Sequence, residues 1–206
     1  MSDPIPPGAL LAPANSRNRD PILEALRTHL PEMGLVLEIA AGSGEHALHF
    51  ASALPPNLQW LPTDADPDAL ASIVAWRAHG GSPNLLAPLR LDAADPASWP
   101  VRGADAVVCI NMVHISPWAA TEGLIAGAAG VLPSGGLLFL YGPFLEPGVE
   151  TEPSNMDFDL SLKGRNPAWG LRCVDDVSAL GRLQGLTIQT RLEMPANNLT
   201  LVYRKP

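Results

Sequence analysis

An α/β fold, with a mostly parallel sheet covered by helices on both faces, follows from three features of the chain. Short apolar runs alternate with helix-like segments along most of its length. The first run, Leu35 to Ile39, has the near-continuous hydrophobicity of a strand buried on both faces. A glycine turn, Gly42-Ser43-Gly44, leads from that run straight into the next helical segment.

Each element has its own signal. Asp20-Pro21 reads as an N-cap with proline at the first helical position, and Ile22, Leu23, Leu26 and Leu30 give that helix one apolar face before Pro31 and Gly34 end it. Glu45 to Leu54 is the helix after the glycine turn. Leu58 to Leu61 is a strand, and Asp66-Pro67 caps a helix reaching about Ala78. Leu86 to Leu91 is a strand whose Pro88 lacks a ladder donor, which places it at a sheet edge. Ala106 to Met112 is a strongly apolar strand, Ala119 to Leu132 a helix, and Leu137 to Tyr141 a further strand beyond the turn at Pro133-Ser134-Gly135-Gly136. Val174 to Leu183 forms the last helix. Thr187 to Glu193 and Leu199 to Arg204 end the chain as a hairpin joined by Met194-Pro195-Ala196-Asn197-Asn198. Right-handed crossovers then make the sheet doubly wound, and ligands of such sheets lie beyond the carboxyl ends of the strands.

Composition narrows the function. At 206 residues and 47% hydrophobic, the chain fits one globular domain over 1–206, with an arm over 1–19. The net charge of -8 and the lack of any Lys/Arg run argue against nucleic acid, whose binding draws on clustered cations. Cys109 and Cys173 form no CxxC pair, so neither a disulfide framework nor a zinc site is expected. The start carries Pro4, Pro6, Pro7 and Pro13 rather than a basic stretch and an apolar core, and no apolar run approaches the roughly 18 residues that span a bilayer. A soluble, cytoplasmic protein without a membrane partner is the expectation.

The chemistry collects at strand ends. Gly42-x-Gly44-x-x-Ala47 satisfies a loose nucleotide-binding pattern that dinucleotide enzymes share. Glu38 separates the possibilities. A carboxylate under the turn repels a pyrophosphate but favours a cofactor carrying a sulfonium centre and an ammonium group; its alternative role is to pair with a basic side chain or cap the turn. Asp64, past the second strand, is placed for ribose hydroxyls, Asp92 for an adenine amino group, and Asn111 for the reacting methyl. Each could instead close an Asx turn. His114, just after the fourth strand, reads either as a general base or as a positioning group. His46 and His49 lack a third ligand and read as packing beside the nucleotide, so no metal is expected. The polar stretch 146–170 is too long for a plain connection and reads as a substrate lid, with Asn155, Asp157, Arg165, Asn166 and Trp169 facing the acceptor and Phe158 and Asp159 beside them. Trp118 could wall the site. Arg17, Arg19, Arg165 and Arg172 could bind a carboxylate or phosphate on the acceptor.

The stretches Pro13-Ala14, Arg17-Asn18, Pro21-Ile22-Leu23, Leu37 to His46, Asn111 to Trp118, Tyr141-Gly142-Pro143-Phe144, Ser154 to Gly170 and Met194 to Asn198 resemble, over nearly the full length, an uncharacterised methyltransferase-like family of class I S-adenosylmethionine (SAM)-dependent enzymes, formerly catalogued as a domain of unknown function. The resemblance implies a Rossmann-like sheet of seven strands in the order 3-2-1-4-5-7-6, strand 7 antiparallel. It implies that Glu38, Gly42, Asp64, Asp92 and Asn111 line the cofactor site, with Ala40 where the wider superfamily has glycine; Ala40, Gly44 and Ala93 are expected to join them. Acceptor contacts are expected from Arg17, Asn18, Trp118, Tyr141, Asn155, Asp157, Arg165, Asn166 and Trp169. The cofactor is then SAM, with S-adenosylhomocysteine (SAH) as product and a small polar molecule as acceptor. An NAD-dependent oxidoreductase and a non-catalytic binding module are the competing functions.

Overall fold

In the computed structural model, residues 5–206 are described; the first four residues of the expected arm, Pro4 among them, lie outside that range. The chain forms two compact units that meet in sequence between Leu91 and Asp92.

In the first unit, helix α1 spans Asn15–His29 and contains Pro21 rather than starting at it. Pro21 has no N–H to bond back to Arg17, yet the helix continues through it. The preceding turn is fastened by its side chains: Asn15 Nδ2 donates to Ser43 Oγ at 3.0 Å and to Glu45 Oε2 at 3.2 Å, and Asn18 Oδ1 meets His46 Nε2 at 2.9 Å. Those tertiary bonds outweigh the local start signal at Asp20-Pro21. Ile22, Leu23 and Leu26 form the buried face.

Strand β1 (Gly34–Ile39) pairs in parallel with β2 (Leu58–Asp64) from Gly34 opposite Leu58 to Glu38 opposite Pro62. β2 runs past the expected end at Leu61. The Ala41 N–H donates to the Thr63 carbonyl at 2.8 Å and the Thr63 hydroxyl to the Glu38 carbonyl at 2.7 Å, which holds the chain extended beyond Pro62. Helices α2 (Glu45–Ala53) and α3 (Pro67–Gly80) fall where expected, and Asp66 caps α3 by accepting the Asp68 N–H at 2.9 Å. Strand β3 shrinks to Leu89–Arg90. Sheet bonds form at Leu86, to the Trp60 carbonyl, and at Leu91, to the Asp64 carbonyl, but Pro88 between them has no donor.

The second unit carries β4 (Ala106–Ile110), α4 (Trp118–Val131) and β5 (Leu137–Gly142), with β4 and β5 parallel and fully buried. A two-residue strand β6 (Phe144–Leu145) pairs with β7 (Arg172–Cys173). Between them lies α5 (Pro153–Arg165), a helix of 13 residues where a loop was expected. Only Asn155, Asp159 and Leu162 of α5 are buried, so it buries a single apolar side chain fully and the composition looks loop-like. Pro153 in its first turn, basic Lys163 and Arg165 in its last, and the Asp159–Lys163 ion pair at 2.5 Å support it instead. Helix α6 (Val174–Leu183) follows, then β8 (Thr187–Met194) and β9 (Asn198–Arg204). β9 is antiparallel to both β5 and β8.

The strand order is β3-β2-β1-β4-β5-β9-β8. Numbered within the sheet alone, it is the expected 3-2-1-4-5-7-6 with the last strand antiparallel. No helix among the described residues is long and apolar enough to cross a membrane.

Candidate functional site

The first unit builds a carboxylate-flanked glycine turn. Glu38 lies near the end of β1 at 1% exposure, and its Oε2 accepts the Trp60 indole N–H at 2.7 Å. No basic side chain pairs with it among the described residues. Burial pushes its pKa up to about 7; the indole bond opposes that rise and the nearby Asp64 carboxylate adds to it. Ala40 then takes a left-handed backbone, φ 56°. Gly42 is also left-handed, φ 58°, and open space lies where a side chain would project. Gly44 is the N-cap of α2 and backs onto Ile73.

Asp64 closes the turn from β2. Its Oδ2 accepts the Gly42 N–H at 2.9 Å and its Oδ1 the Asp66 N–H at 3.0 Å. The Asx turn considered from sequence is therefore present, yet a carboxylate has about four acceptor positions, so half remain for a ligand. Beneath the loop, Glu45 Oε2 gathers the Ala12 N–H at 2.7 Å, the Asn15 amide and the Ser43 hydroxyl at 3.0 Å, and Ser72 Oγ donates to the Ser43 carbonyl at 2.6 Å. Asn15, Ser43, Glu45, Ser72 and Trp60 were not singled out from sequence. Glu45 alone carried a signal, an acid in the first turn of a helix; the others depend on strand register and helix packing. Asn18, expected at the acceptor, is buried against His46 instead. Burial, then His49 and Arg19, drives the His46 pKa down to about 4, so the ring is neutral there and stacks on Phe50.

The second unit supplies the remaining strand ends. Asp92 is exposed; its Oδ1 accepts the Ala94 N–H at 2.9 Å, again an Asx turn, and Ala93 beside it is buried. Asn111 follows β4 in a left-handed conformation, φ 60°, its N–H on the Tyr141 carbonyl at 2.9 Å. His114 is buried edge-on to Phe158 with ring centroids 5.6 Å apart. A Cβ on Gly142 would stand 3.0 Å from the His114 ring, so glycine at that strand end makes room for the imidazole. Burial first, then the charges of Arg172 and Arg165, lowers the His114 pKa to about 4.

Of the arginines expected at the acceptor, Arg17 and Arg19 belong to the first unit and Arg165 and Arg172 to the second. Arg172 donates to the carbonyls of Val113 at 3.2 Å, Ser116 at 2.8 Å and Ala168 at 2.9 Å, and lies over the Trp118 ring at 5.6 Å. Its donors fix the loop after β4 to the end of the α5 segment. Arg165 stacks on Trp169 at 5.6 Å, Arg19 sits 3.8 Å from Asp20, and Arg17 is exposed. Asn166 accepts the Ala168 N–H at 3.0 Å and so shapes its own turn, while Asp157 points outward on the exposed side of α5. Tyr141 is buried within β5. Asn155 is buried, and Nδ2 donates to the Asn197 carbonyl at 2.9 Å.

A seven-stranded sheet of this order, with one antiparallel strand beside β5 and polar groups at the carboxyl ends of its parallel strands, is the class I methyltransferase fold. The family described as Protein of unknown function (DUF938) matches residues 9–205, and the chain belongs to it. Solved structures share the fold at low identity. An O-methyltransferase family protein from Burkholderia thailandensis is 17% identical, with TM-score 0.78 over 93% of this chain and 57% of its own. An O-methyltransferase family 2 protein from Planctomyces limnophilus, solved with apigenin, is 16% identical, with TM-score 0.74 over 93% of this chain and 63% of its own. CalO1, a methyltransferase in calicheamicin biosynthesis solved in its SAH-bound form, is 16% identical, with TM-score 0.74 over 91% of this chain and 54% of its own. This chain therefore spans little more than half the length of the proteins it resembles.

Proposed function

We propose that the protein is a SAM-dependent methyltransferase acting on a small polar acceptor. The observation that carries this reading is Glu38, a buried carboxylate at the glycine turn with an indole N–H for a partner and, among the described residues, no cation paired with it. Such a group is costly to ionise unless a ligand brings positive charge. A dinucleotide brings phosphates, which Glu38 would repel. A sulfonium cofactor brings an ammonium group and a cationic sulfur. The open space at Gly42 and the vacant acceptor positions of Asp64 fit the same ligand.

When bound, the cofactor supplies a methyl group activated by its sulfonium centre. The protein's own residues bind and align. Glu38 faces the cationic end, Ala40, Gly42 and Gly44 let the backbone come close, and Asp64 accepts from ribose hydroxyls. Asp92 and Ala93 serve the adenine, and Asn111 the methyl end. Held in line, the reactants gain most of their rate from alignment. His114, neutral at physiological pH, accepts a hydrogen bond from the acceptor; its low proton affinity suits orientation better than proton removal.

Thermal shifts with SAH and with NAD test the reading. Ligand at about a hundred times its Kd stabilises by about 2.7 kcal/mol, or roughly 5–10 °C for a chain of this size. SAH is expected to give that shift in the wild type and to lose most of it in Asp64→Asn, whose unliganded Tm stays within a few degrees. Stabilisation by NAD and not by SAH would overturn the proposal.

A further inference from the structure

The segment leading into α1 is tied to the glycine turn through its backbone. The Leu10 N–H donates to Ser72 Oγ at 2.7 Å, and Ser72 passes its own hydrogen to the Ser43 carbonyl at 2.6 Å. A hydroxyl has one hydrogen and accepts with its lone pairs, so the direction of this relay is fixed by chemistry. Two residues on, the Ala12 N–H donates to Glu45 Oε2 at 2.7 Å, and the same oxygen takes the Ser43 hydroxyl at 3.0 Å. Leu10 and Ala12 therefore hold the residues on either side of Gly44, the N-cap of α2. From α3, the Trp76 indole N–H donates to the Leu10 carbonyl at 3.1 Å and completes the set.

Little apolar burial backs these bonds. Within residues 5–14 only Pro6 is buried, and Leu10 and Leu11 are 48% and 52% exposed. Leucines so exposed leave much of their transfer free energy ungained. Polar bonds of small net worth thus hold the segment against the entropy of ordering its backbone. Segments of that kind open at far lower cost than a packed core, and ligand-gating segments are drawn from them. The turn they grip needs the opposite property. Ala40 and Gly42 are left-handed, and a turn that presents its backbone to a ligand binds best when it is already rigid.

We infer that residues 5–13 are a strap, marginally closed in the free protein, that latches onto Ser72, Glu45 and Trp76 and is drawn shut when the glycine turn takes its ligand. Binding and closure are linked. A ligand that favours the rigid turn favours the closed strap, and a loosened strap weakens the ligand by the fall in closed population. That the ligand is SAM or SAH rests on the methyltransferase reading.

The test is residue-resolved hydrogen exchange of the full chain at the Leu10, Ala12 and Gly42 amides, without ligand and with SAH at about a hundred times its Kd. Calorimetry gives the SAH affinity in parallel. SAH is expected to slow Leu10 and Ala12 together with Gly42, by roughly tenfold or more. Trp76→Phe removes the indole donor to Leu10. It is expected to quicken unliganded exchange at Leu10 and Ala12 about two- to tenfold, the worth of one neutral hydrogen bond, and to raise the SAH Kd by about the same factor. Its unliganded Tm should stay close to that of the wild type, because the strap opens without the core. Slowing of Gly42 by SAH with Leu10 and Ala12 unchanged overturns the inference alone. So does a Trp76→Phe variant whose strap exchanges faster while its SAH Kd is unaltered. Failure of SAH to bind, with no slowing at Gly42, overturns the methyltransferase reading and the coupling with it.

Discussion

Replacing Glu38 by Gln removes a charge and almost nothing else. The amide oxygen can still accept the Trp60 indole N–H, which lies at 2.7 Å in the wild type, and the volume is unchanged. Two opposite consequences follow from the raised pKa. A carboxyl that titrates at about 4.5 when unfolded and near 7 when folded holds its proton more tightly in the native state. Its contribution to stability is present below pH 4.5 and is lost as pH rises through about 7, a difference of roughly 3 kcal/mol at 1.36 kcal/mol per pKa unit. Urea denaturation should thus show the wild type weakening from pH 5 to pH 8, with Glu38→Gln overtaking it above pH 7. Cofactor binding runs the other way, because the cationic end needs the ionised form. At pH 6 about one tenth of unliganded Glu38 is ionised, so wild-type affinity for SAH should fall about tenfold from its value at pH 8. Glu38→Gln should bind SAH at least tenfold more weakly at pH 8, the worth of a charged hydrogen bond, and show no slope between pH 6 and 8. Calorimetry across that range measures both. A wild-type affinity independent of pH, or full SAH affinity in the variant, would refute the role given to Glu38.

Two further outcomes probe the scaffold of the site. Ala40→Gly relieves a left-handed alanine, worth about 1–2 kcal/mol, against the greater freedom of glycine in the unfolded chain, about 0.4–1 kcal/mol. A calorimetric Tm about 1–4 °C higher is expected, and a lower Tm would show that the alanine methyl is packed usefully. Arg172→Lys removes the fork that bonds Val113, Ser116 and Ala168 and the stacking on Trp118, at about 1–2 kcal/mol. Hydrogen exchange should quicken at the Gly170 N–H, which rests on the His114 carbonyl, while SAH affinity holds within twofold. A fall in affinity without loss of stability would make Arg172 a ligand-binding group instead.

Most of the sheet was legible because its signals are local. Buried parallel strands are apolar throughout, as at Ala106–Ile110 and Leu137–Gly142, and Pro88 marks an edge by lacking a donor. The helix start at Asp66 carries its own capping chemistry. Legibility failed where a distant partner overrode a local sign. Pro21 reads as a helix start, but bonds from Asn15 to Ser43 and Glu45 and from Asn18 to His46 carry the helix a further turn and a half upstream. Residues 153–165 read as a loop, because one of the groups holding α5 in place is Asp159, which accepts the Leu171 N–H at 2.8 Å.

The same division runs through the site. The sequence by itself determined which residue types stand at the strand ends, since alternation and glycine spacing put Glu38, Asp64, Asp92 and Asn111 there. It could not determine their condition. That Glu38 answers to an indole two pairing positions from its own depends on the register of β1 against β2. That Arg172 braces carbonyls, and that Asn155 bonds the Asn197 carbonyl, depends on segments tens of residues apart. Charge type is written locally in the chain, but which charges are already satisfied is a property of packing, and only the tertiary structure decides it.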